Sequence, residues 1–125
     1  MPLILQACPS FLPTWRKIKD DLYLEDDGSR SGYGDSWEVA RHVVELQRTH
    51  QVAELPAVFS VMERLRTEGD DYVQTLAWAG YIEDVQNAAL RPPAVPLEAF
   101  EPYLADQSAR DWHRLIAEWS RKTPP

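Results

Sequence analysis

The stretch from Asp71 to Leu90 limits the fold more than any other part of the sequence, because its apolar residues fall on nearly every side of a helix. At about 100° per residue, Trp78 and Val85 lie on one apolar arc, and Tyr72 and Leu76 lie on another. A helix that is apolar all round is normally buried on several sides. The prolines within Arg91–Pro96 cannot continue it. We therefore expect residues 71–90 to form the central buried helix of an all-α domain.

The remaining periodic segments also repeat their apolar residues every three or four positions, and no strand-like alternation is sustained. We expect one domain, residues 1–125, folded as a compact bundle of five or six helices, with residues 1–12 and 121–125 loosely ordered. The expected helices run from about Pro13 to Leu24, from Asp35 or Ser36, from Pro56 to Gly69, from about Leu97 to Leu104, and through a last segment in which Ser108 and Asp111 form a capping-box-like pair.

The charge balance constrains the partners of the chain. The formal net charge is −7 and the sequence pI is about 4.9. An acidic surface repels phosphates, so we expect neither nucleic acid nor an anionic membrane as a partner. A basic protein surface suits it better.

The single cysteine and the N-terminus indicate a compartment. Cys8 has no intramolecular disulfide partner, which favours a reducing environment. The apolar opening MPLILQACPSFLP is too short and too rich in proline for a membrane span, and it has no basic region of the signal-peptide type. The expected location is the cytoplasm.

The titratable residues do not form a known metal or nucleophile motif in the sequence. His42, His50 and His113 show no HExxH or HxH spacing, and a CxxC pair is absent. We therefore expect no metal and no cofactor. A catalytic pair of Cys8 with a histidine is also disfavoured, because Cys8 lies near the terminus.

The acidic, glycine-rich segment EDDGSRSGYGDS, Glu25 to Ser36, is predicted to be a loop. The acidic residues before its glycines disfavour a phosphate-binding role. It is either a solvated connector or a surface that contacts a partner protein. The candidate partner-binding residues are Glu25, Asp26, Asp27, Arg30, Tyr33 and Asp35.

Two adjacent carboxylates, Glu83 and Asp84, interrupt the apolar stretch GYIEDVQNAAL. On an α-helical wheel Glu83 lines up with Gly80 and Asn87, whereas Asp84 lies about 100° away. The carboxylates therefore diverge, and they do not form a facing acid–base pair. We expect Gly80, Glu83, Asp84 and Asn87 to be a structural polar cluster, with Glu83 and Asn87 hydrogen bonded inside the core and Gly80 permitting close approach of another helix.

Two segments also carry a family resemblance: EGDDYVQTLAWAGYIEDVQN, Glu68 to Asn87, and FEPYLADQSARDWHRL, Phe100 to Leu115. They resemble a family of small bacterial all-helical proteins that share the pattern Gly-apolar-apolar-Glu-Asp-apolar-Gln-Asn. The resemblance covers about the C-terminal half of the chain. It implies an α-helical fold and, for some members, an association with toxin systems as immunity proteins.

Two functional hypotheses follow. The first is an immunity protein, not an enzyme, that binds a cognate protein toxin with a basic active-site surface and occludes its active site. The alternative is a small helical enzyme or adaptor that uses Glu83, Asp84 and Asn87. Solvent access to Glu83 separates the enzyme hypothesis from the immunity-protein and adaptor hypotheses, because a catalytic carboxylate must line a pocket.

Overall fold

The computed structural model describes residues 1–20, 22–26 and 29–122, and its elements are helical apart from one isolated bridge between Leu24 and Arg30. The α-helices are α1 (Pro2–Ala7), α2 (Leu12–Ile18), α3 (Gly32–Arg48), α4 (Leu55–Glu68), α5 (Asp71–Thr75), α6 (Glu83–Ala89) and α7 (Asp106–Lys122). Short 3₁₀ helices occupy Pro9–Phe11 and Leu97–Tyr103. The prediction of an all-α fold is confirmed.

A π-helical segment, Leu76–Ile82, joins α5 directly to α6, and we refer to residues 71–89 together as the central helix. Its π segment packs against α3, α4 and α7, and α6 packs against α3. Tyr81, Ile82 and Val85 lie in the core. The prediction of a central buried helix is therefore confirmed for residues 76–89. It is wrong for the first turns, where no residue of α5 is buried.

The N-terminal residues are part of the core, so the prediction of a loosely ordered segment before residue 13 is wrong. Ile4, Cys8 and Phe11 are buried, and α1 packs against α4. Prolines stand in the first turns of α1, of the first 3₁₀ helix and of α2, where the missing N–H costs no hydrogen bond. The prolines therefore divide this segment into short helices without excluding it from the core.

Two helix boundaries near the acidic loop differ from the prediction. The helix expected to reach Leu24 ends at Ile18. Helix α3 begins at Gly32, not at Asp35 or Ser36, because the Ser31 side chain already accepts a hydrogen bond from the Gly34 N–H at 3.3 Å. By contrast, α4 ends at Glu68 with Gly69 as its C-cap, as predicted.

The N-terminus of α7 is capped by a different helix, so the predicted capping box of Ser108 and Asp111 is wrong. Glu63 of α4 accepts hydrogen bonds from the backbone N–H groups of Gln107 and Ser108 at 3.2 and 2.8 Å, and from the Ser108 hydroxyl at 2.7 Å. Burial tends to raise the pKa of Glu63, but these hydrogen bonds outweigh burial and lower it. Asp111 instead pairs with Arg66 of α4 at 2.8 Å.

In the described part of the chain, every helix is too short or too polar to cross a lipid bilayer.

Candidate functional site

The described residues of the predicted partner-binding loop are held together by backbone contacts directly before α3. Leu24 and Arg30 form the antiparallel bridge, and the Glu25 N–H donates to the Ser29 carbonyl at 2.7 Å. The Ser31 N–H donates to the Tyr23 carbonyl at 2.6 Å. Glu25 and Asp26 are exposed in this loop, and we call its described part before α3 the acidic turn. Asp27 lies outside the described residues.

Arg30 and Asp35 do not form part of the free surface, which corrects the prediction for these two residues. The Arg30 guanidinium pairs with the Asp35 carboxylate, which is only 7% exposed, and it lies 4.5 Å from the centre of the Trp15 ring. It also donates to the carbonyl of Ile18 at 3.2 Å. Arg30 therefore links the acidic turn to the start of α3 through Asp35, and to α2 through the Ile18 carbonyl and the Trp15 ring.

Tyr33 is exposed, and it lies beside a second exposed tyrosine that the sequence pattern placed in the core. The ring centres of Tyr33 and Tyr72 are 6.2 Å apart and the rings are nearly perpendicular. The exposed fraction is 41% for Tyr33 and 56% for Tyr72. Asp71, next to Tyr72, is also exposed. We call these residues the acidic–aromatic surface: Glu25, Asp26, Tyr33, Asp71 and Tyr72.

Gly80 lies where α3 crosses the central helix, as expected from its sequence context. A Cβ atom at Gly80 would lie 3.0 Å from Ser36 Oγ. The same hydroxyl donates a hydrogen bond to Asp84 Oδ2 at 2.7 Å. Burial raises the pKa of Asp84 to about 6, the Ser36 hydrogen bond opposes this, and the charge of Glu83 adds to it.

The expected buried hydrogen bond between Glu83 and Asn87 is wrong. Asn87 is exposed, Glu83 is partly exposed, and the described hydrogen bonds do not join them. The buried polar residue of this helix is Gln86, whose amide nitrogen donates to the Trp112 carbonyl at 3.0 Å. A wheel of constant α-helical angle does not represent the wider π turns that precede Glu83.

A second polar cluster lies at the N-terminus of the chain and was not predicted. Ser10 Oγ lies 2.7 Å from His42 Nε2 and hydrogen bonds to Glu54 Oε1. The buried Cys8 thiol donates to Glu54 Oε1 at 3.3 Å, and the Ser10 N–H donates to Glu54 Oε2 at 3.2 Å. We call Cys8, Ser10, His42 and Glu54 the N-terminal cluster. Its members are separated in sequence and come from three parts of the fold, so no short spacing motif marks them.

The electrostatics of the N-terminal cluster disfavour an activated nucleophile. Burial raises the pKa of Cys8 to about 11, so the thiol is protonated at neutral pH. Burial also lowers the pKa of His42, against the attraction of Glu54. For Glu54 burial acts to raise the pKa, but hydrogen bonds from Ser10 and Cys8 and the charge of His42 lower it overall. Glu54 contacts the Ser10 hydroxyl directly and so does not reproduce the order of a Ser–His–acid triad.

Two surface grooves adjoin the N-terminal cluster. One has a volume of about 600 Å³ and is lined by His42 together with Trp37, Arg41, Arg48 and Arg91. The other has a volume of about 570 Å³ and is lined by Ser10 and Glu54. Neither of these two grooves is lined by Glu83, Asp84 or Asn87.

The fold and its polar clusters define an all-α protein with an acidic–aromatic surface at one end of α3. Residues 1–120 match a family described as a domain of unknown function (DUF7674). The chain belongs to this family. No curated protein and no solved structure gave a significant match.

Proposed function

We propose that the chain is an immunity protein that binds a cognate protein toxin in the cytoplasm and neutralises it by occluding its active site. The observation that carries this proposal is the exposed Tyr33–Tyr72 pair, together with the exposed carboxylates of Glu25 and Asp26 on the loop that leads into α3. The resemblance of residues 68–87 and 100–115 to a family in which some members are associated with toxin systems agrees with it.

The chemistry of this surface suits a basic protein partner. Tyrosine is enriched at the centres of protein interfaces, because its ring buries a large apolar area while its hydroxyl keeps a hydrogen bond. The exposed carboxylates of Glu25, Asp26 and Asp71 attract a basic cleft over a distance and accelerate association. The formal net charge of −7 extends this attraction to the whole molecule.

The interface proposed here differs from the one expected from the sequence. Arg30 and Asp35 are excluded, because their side chains pair with each other and Asp35 is buried. Tyr72 is added because its ring contacts that of Tyr33, and Asp71 is added because it is the exposed residue directly before Tyr72. The contact surface then consists of the acidic turn and the N-terminal ends of α3 and α5.

Co-expression with the product of the neighbouring gene tests the proposal. An immunity gene is expected beside its toxin gene, so the wild-type chain should restore growth of cells that express the neighbouring product, and the two proteins should co-purify. An adaptor with no toxin partner gives co-purification without growth rescue, and this result, or the loss of both effects, overturns the proposal.

Charge-matched variants locate the interface in the same assay. The variant Glu25→Lys/Asp26→Lys/Tyr72→Ala should lose rescue. The control Glu98→Lys/Glu45→Lys makes the same change in net charge at exposed carboxylates elsewhere, and it should retain rescue. Circular dichroism of both variants establishes that each one is folded.

A further inference from the structure

The N-terminal cluster brings together three side chains whose donor atoms are ordinary ligands of a transition-metal ion. Cys8 Sγ, a ring nitrogen of His42 and a carboxylate oxygen of Glu54 all lie within 4.8 Å of one another. Ligand atoms on a single tetrahedral zinc ion are separated by about 3 to 4 Å, given metal–ligand bonds of about 2.0 to 2.3 Å. Small side-chain rotations therefore bring all three atoms to one ion.

The backbone positions these ligands firmly. Cys8 follows α1 and is fully buried, His42 lies in the middle of α3, and Glu54 is the residue before α4. The His42 ring also packs against Phe11, with ring centres 5.6 Å apart. Three separate elements therefore hold the donor atoms before any ion binds, which reduces the conformational entropy that binding costs.

We propose that Cys8, His42 and Glu54 bind one divalent transition-metal ion, with zinc as the best-suited species. Thiolate, imidazole and carboxylate together are a donor set that suits zinc rather than calcium or magnesium, which prefer oxygen ligands. On binding, the thiol of Cys8 loses its proton to solvent and the thiolate sulfur becomes the ligand.

Ser10 and the two adjacent grooves complete the site. The Ser10 hydroxyl bridges His42 and Glu54, and it can turn away by rotation about a single bond. The backbone N–H of Ser10 continues to orient the Glu54 carboxylate as an outer-shell partner. Three protein ligands leave one tetrahedral position for water. His42 lines one groove and Glu54 lines the other, so solvent reaches these two ligands, whereas Cys8 is buried.

Cobalt(II) is the direct probe, because a thiolate–cobalt bond gives a near-ultraviolet charge-transfer band and a tetrahedral site gives intense visible bands. Titration of the full-length, metal-free, reduced protein with Co²⁺ should give both signals, saturating at one equivalent. Addition of Zn²⁺ should then displace the cobalt and abolish the bands. The absence of a charge-transfer band at saturating Co²⁺ overturns the proposal.

Substitutions assign the ligands. Cys8→Ser, His42→Gln and Glu54→Gln should each weaken metal binding by more than the roughly 10- to 100-fold that loss of an outer-shell partner causes. His113→Gln is the matched control, since His113 pairs with Glu101 on the exposed surface at 3.3 Å, and it should bind like the wild type. Equal binding by Cys8→Ser and the wild type contradicts the assignment.

A thermal measurement keeps the test decisive if a ligand variant folds poorly. Excess Zn²⁺ should raise the unfolding temperature of the wild-type protein, because the ion binds the folded state preferentially. Zn²⁺ should also slow modification of Cys8, the single cysteine, by a thiol reagent. If saturating Zn²⁺ changes neither quantity, the proposal fails. This site shares no residue with the acidic–aromatic surface, so failure of the metal-binding proposal would leave the toxin-binding proposal unaffected.

Discussion

The Ser36 hydroxyl donates a hydrogen bond of 2.7 Å to the carboxylate of Asp84 where α3 crosses the central helix. Gly80, one turn before Asp84, allows this approach, because a Cβ atom there would meet Ser36 Oγ at 3.0 Å. The carboxylate is thereby held in a partly buried contact between two helices. Its effect on stability depends on its protonation state.

We predict that Asp84→Asn stabilises the protein at neutral pH. Burial raises the pKa of Asp84 from 3.8 to about 6 in the folded protein. The stabilising contribution of this group is fully present below about pH 4 and is lost as the pH rises through about 6. An asparagine still accepts the Ser36 hydrogen bond and carries no charge. With allowance for solvent screening, we expect the variant to gain about 1 to 2 kcal/mol at pH 7.

Urea unfolding at pH 4 and at pH 7 measures this effect. The difference in the free energy of unfolding between Asp84→Asn and the wild type should grow from pH 4 to pH 7. Glu98→Gln removes the same charge from an exposed carboxylate and should show little such growth. A constant difference for Asp84→Asn would contradict the buried-carboxylate assignment.

Loss of the Glu63 side chain should destabilise the packing of α7 on α4. Glu63→Ala removes the acceptor of three hydrogen bonds from Gln107 and Ser108. We expect a loss of about 2 kcal/mol, the upper part of the range for a helix cap. Because its hydrogen bonds lower the pKa of Glu63, its stabilisation is present above about pH 4.5 and is lost as the pH falls through the folded-state pKa.

Thermal unfolding at pH 7 measures the loss, and Glu68→Ala is the control. Glu68 lies in the last turn of the same helix and makes an exposed ion pair with Arg64, at 3.8 Å. The Glu68→Ala substitution should change the free energy of unfolding by less than about 0.5 kcal/mol. Equal costs at the two positions would refute a capping role for Glu63.

The ion pair between Arg30 and Asp35 should be structural rather than partner-binding. Arg30→Ala leaves a carboxylate that is 7% exposed without its partner, and it also removes the contact with Trp15. We expect a destabilisation of about 3 kcal/mol. In a double-mutant cycle with Asp35→Asn, the coupling energy should be about 1 to 3 kcal/mol, measured by urea unfolding. Additive effects would mean that the two residues do not interact.

The tyrosines of the acidic–aromatic surface should contribute little to folding. Tyr72 is 56% exposed, so Tyr72→Ala should cost less than about 1 kcal/mol. Tyr103 is partly buried and stacks on Phe59 with ring centres 5.8 Å apart, so Tyr103→Ala should cost about 3 kcal/mol. Urea unfolding of both variants measures the contrast. A Tyr72 cost as large as that of Tyr103 would argue for a core role instead of an interface role.

Periodicity predicted the helices that carry a regular apolar face, and it failed where the geometry or the partners are non-local. The ends of α4 and the apolar face of α7 follow local patterns, so they could be predicted. The π turns of Leu76–Ile82 alter the angular position of every later residue, which misplaced Asn87. Tyr72 was misplaced because an apolar arc does not reveal how far a neighbouring helix extends.

The residues of the two candidate sites were also only partly predictable from local sequence patterns. The exposed Glu25 and Asp26 could be recognised from the composition of their loop. The pairing of the buried Asp35 with Arg30, which itself packs on Trp15, could not be recognised in the same way. The N-terminal cluster joins Cys8, His42 and Glu54 only after α1, α3 and α4 have packed together. Neither arrangement has a local sequence pattern.

The affinity of the purified chain for the product of its neighbouring gene tests the central proposal most directly. Calorimetric titration at low and high salt should show one binding event that weakens as salt screens the charges. The variant Glu25→Lys/Asp26→Lys should bind at least about 10-fold more weakly, because it reverses two charges that attract the partner. The control Glu98→Lys/Glu45→Lys should bind like the wild type. Binding that is insensitive to both Glu25→Lys/Asp26→Lys and Tyr72→Ala, or no binding by the wild-type chain, would contradict the account.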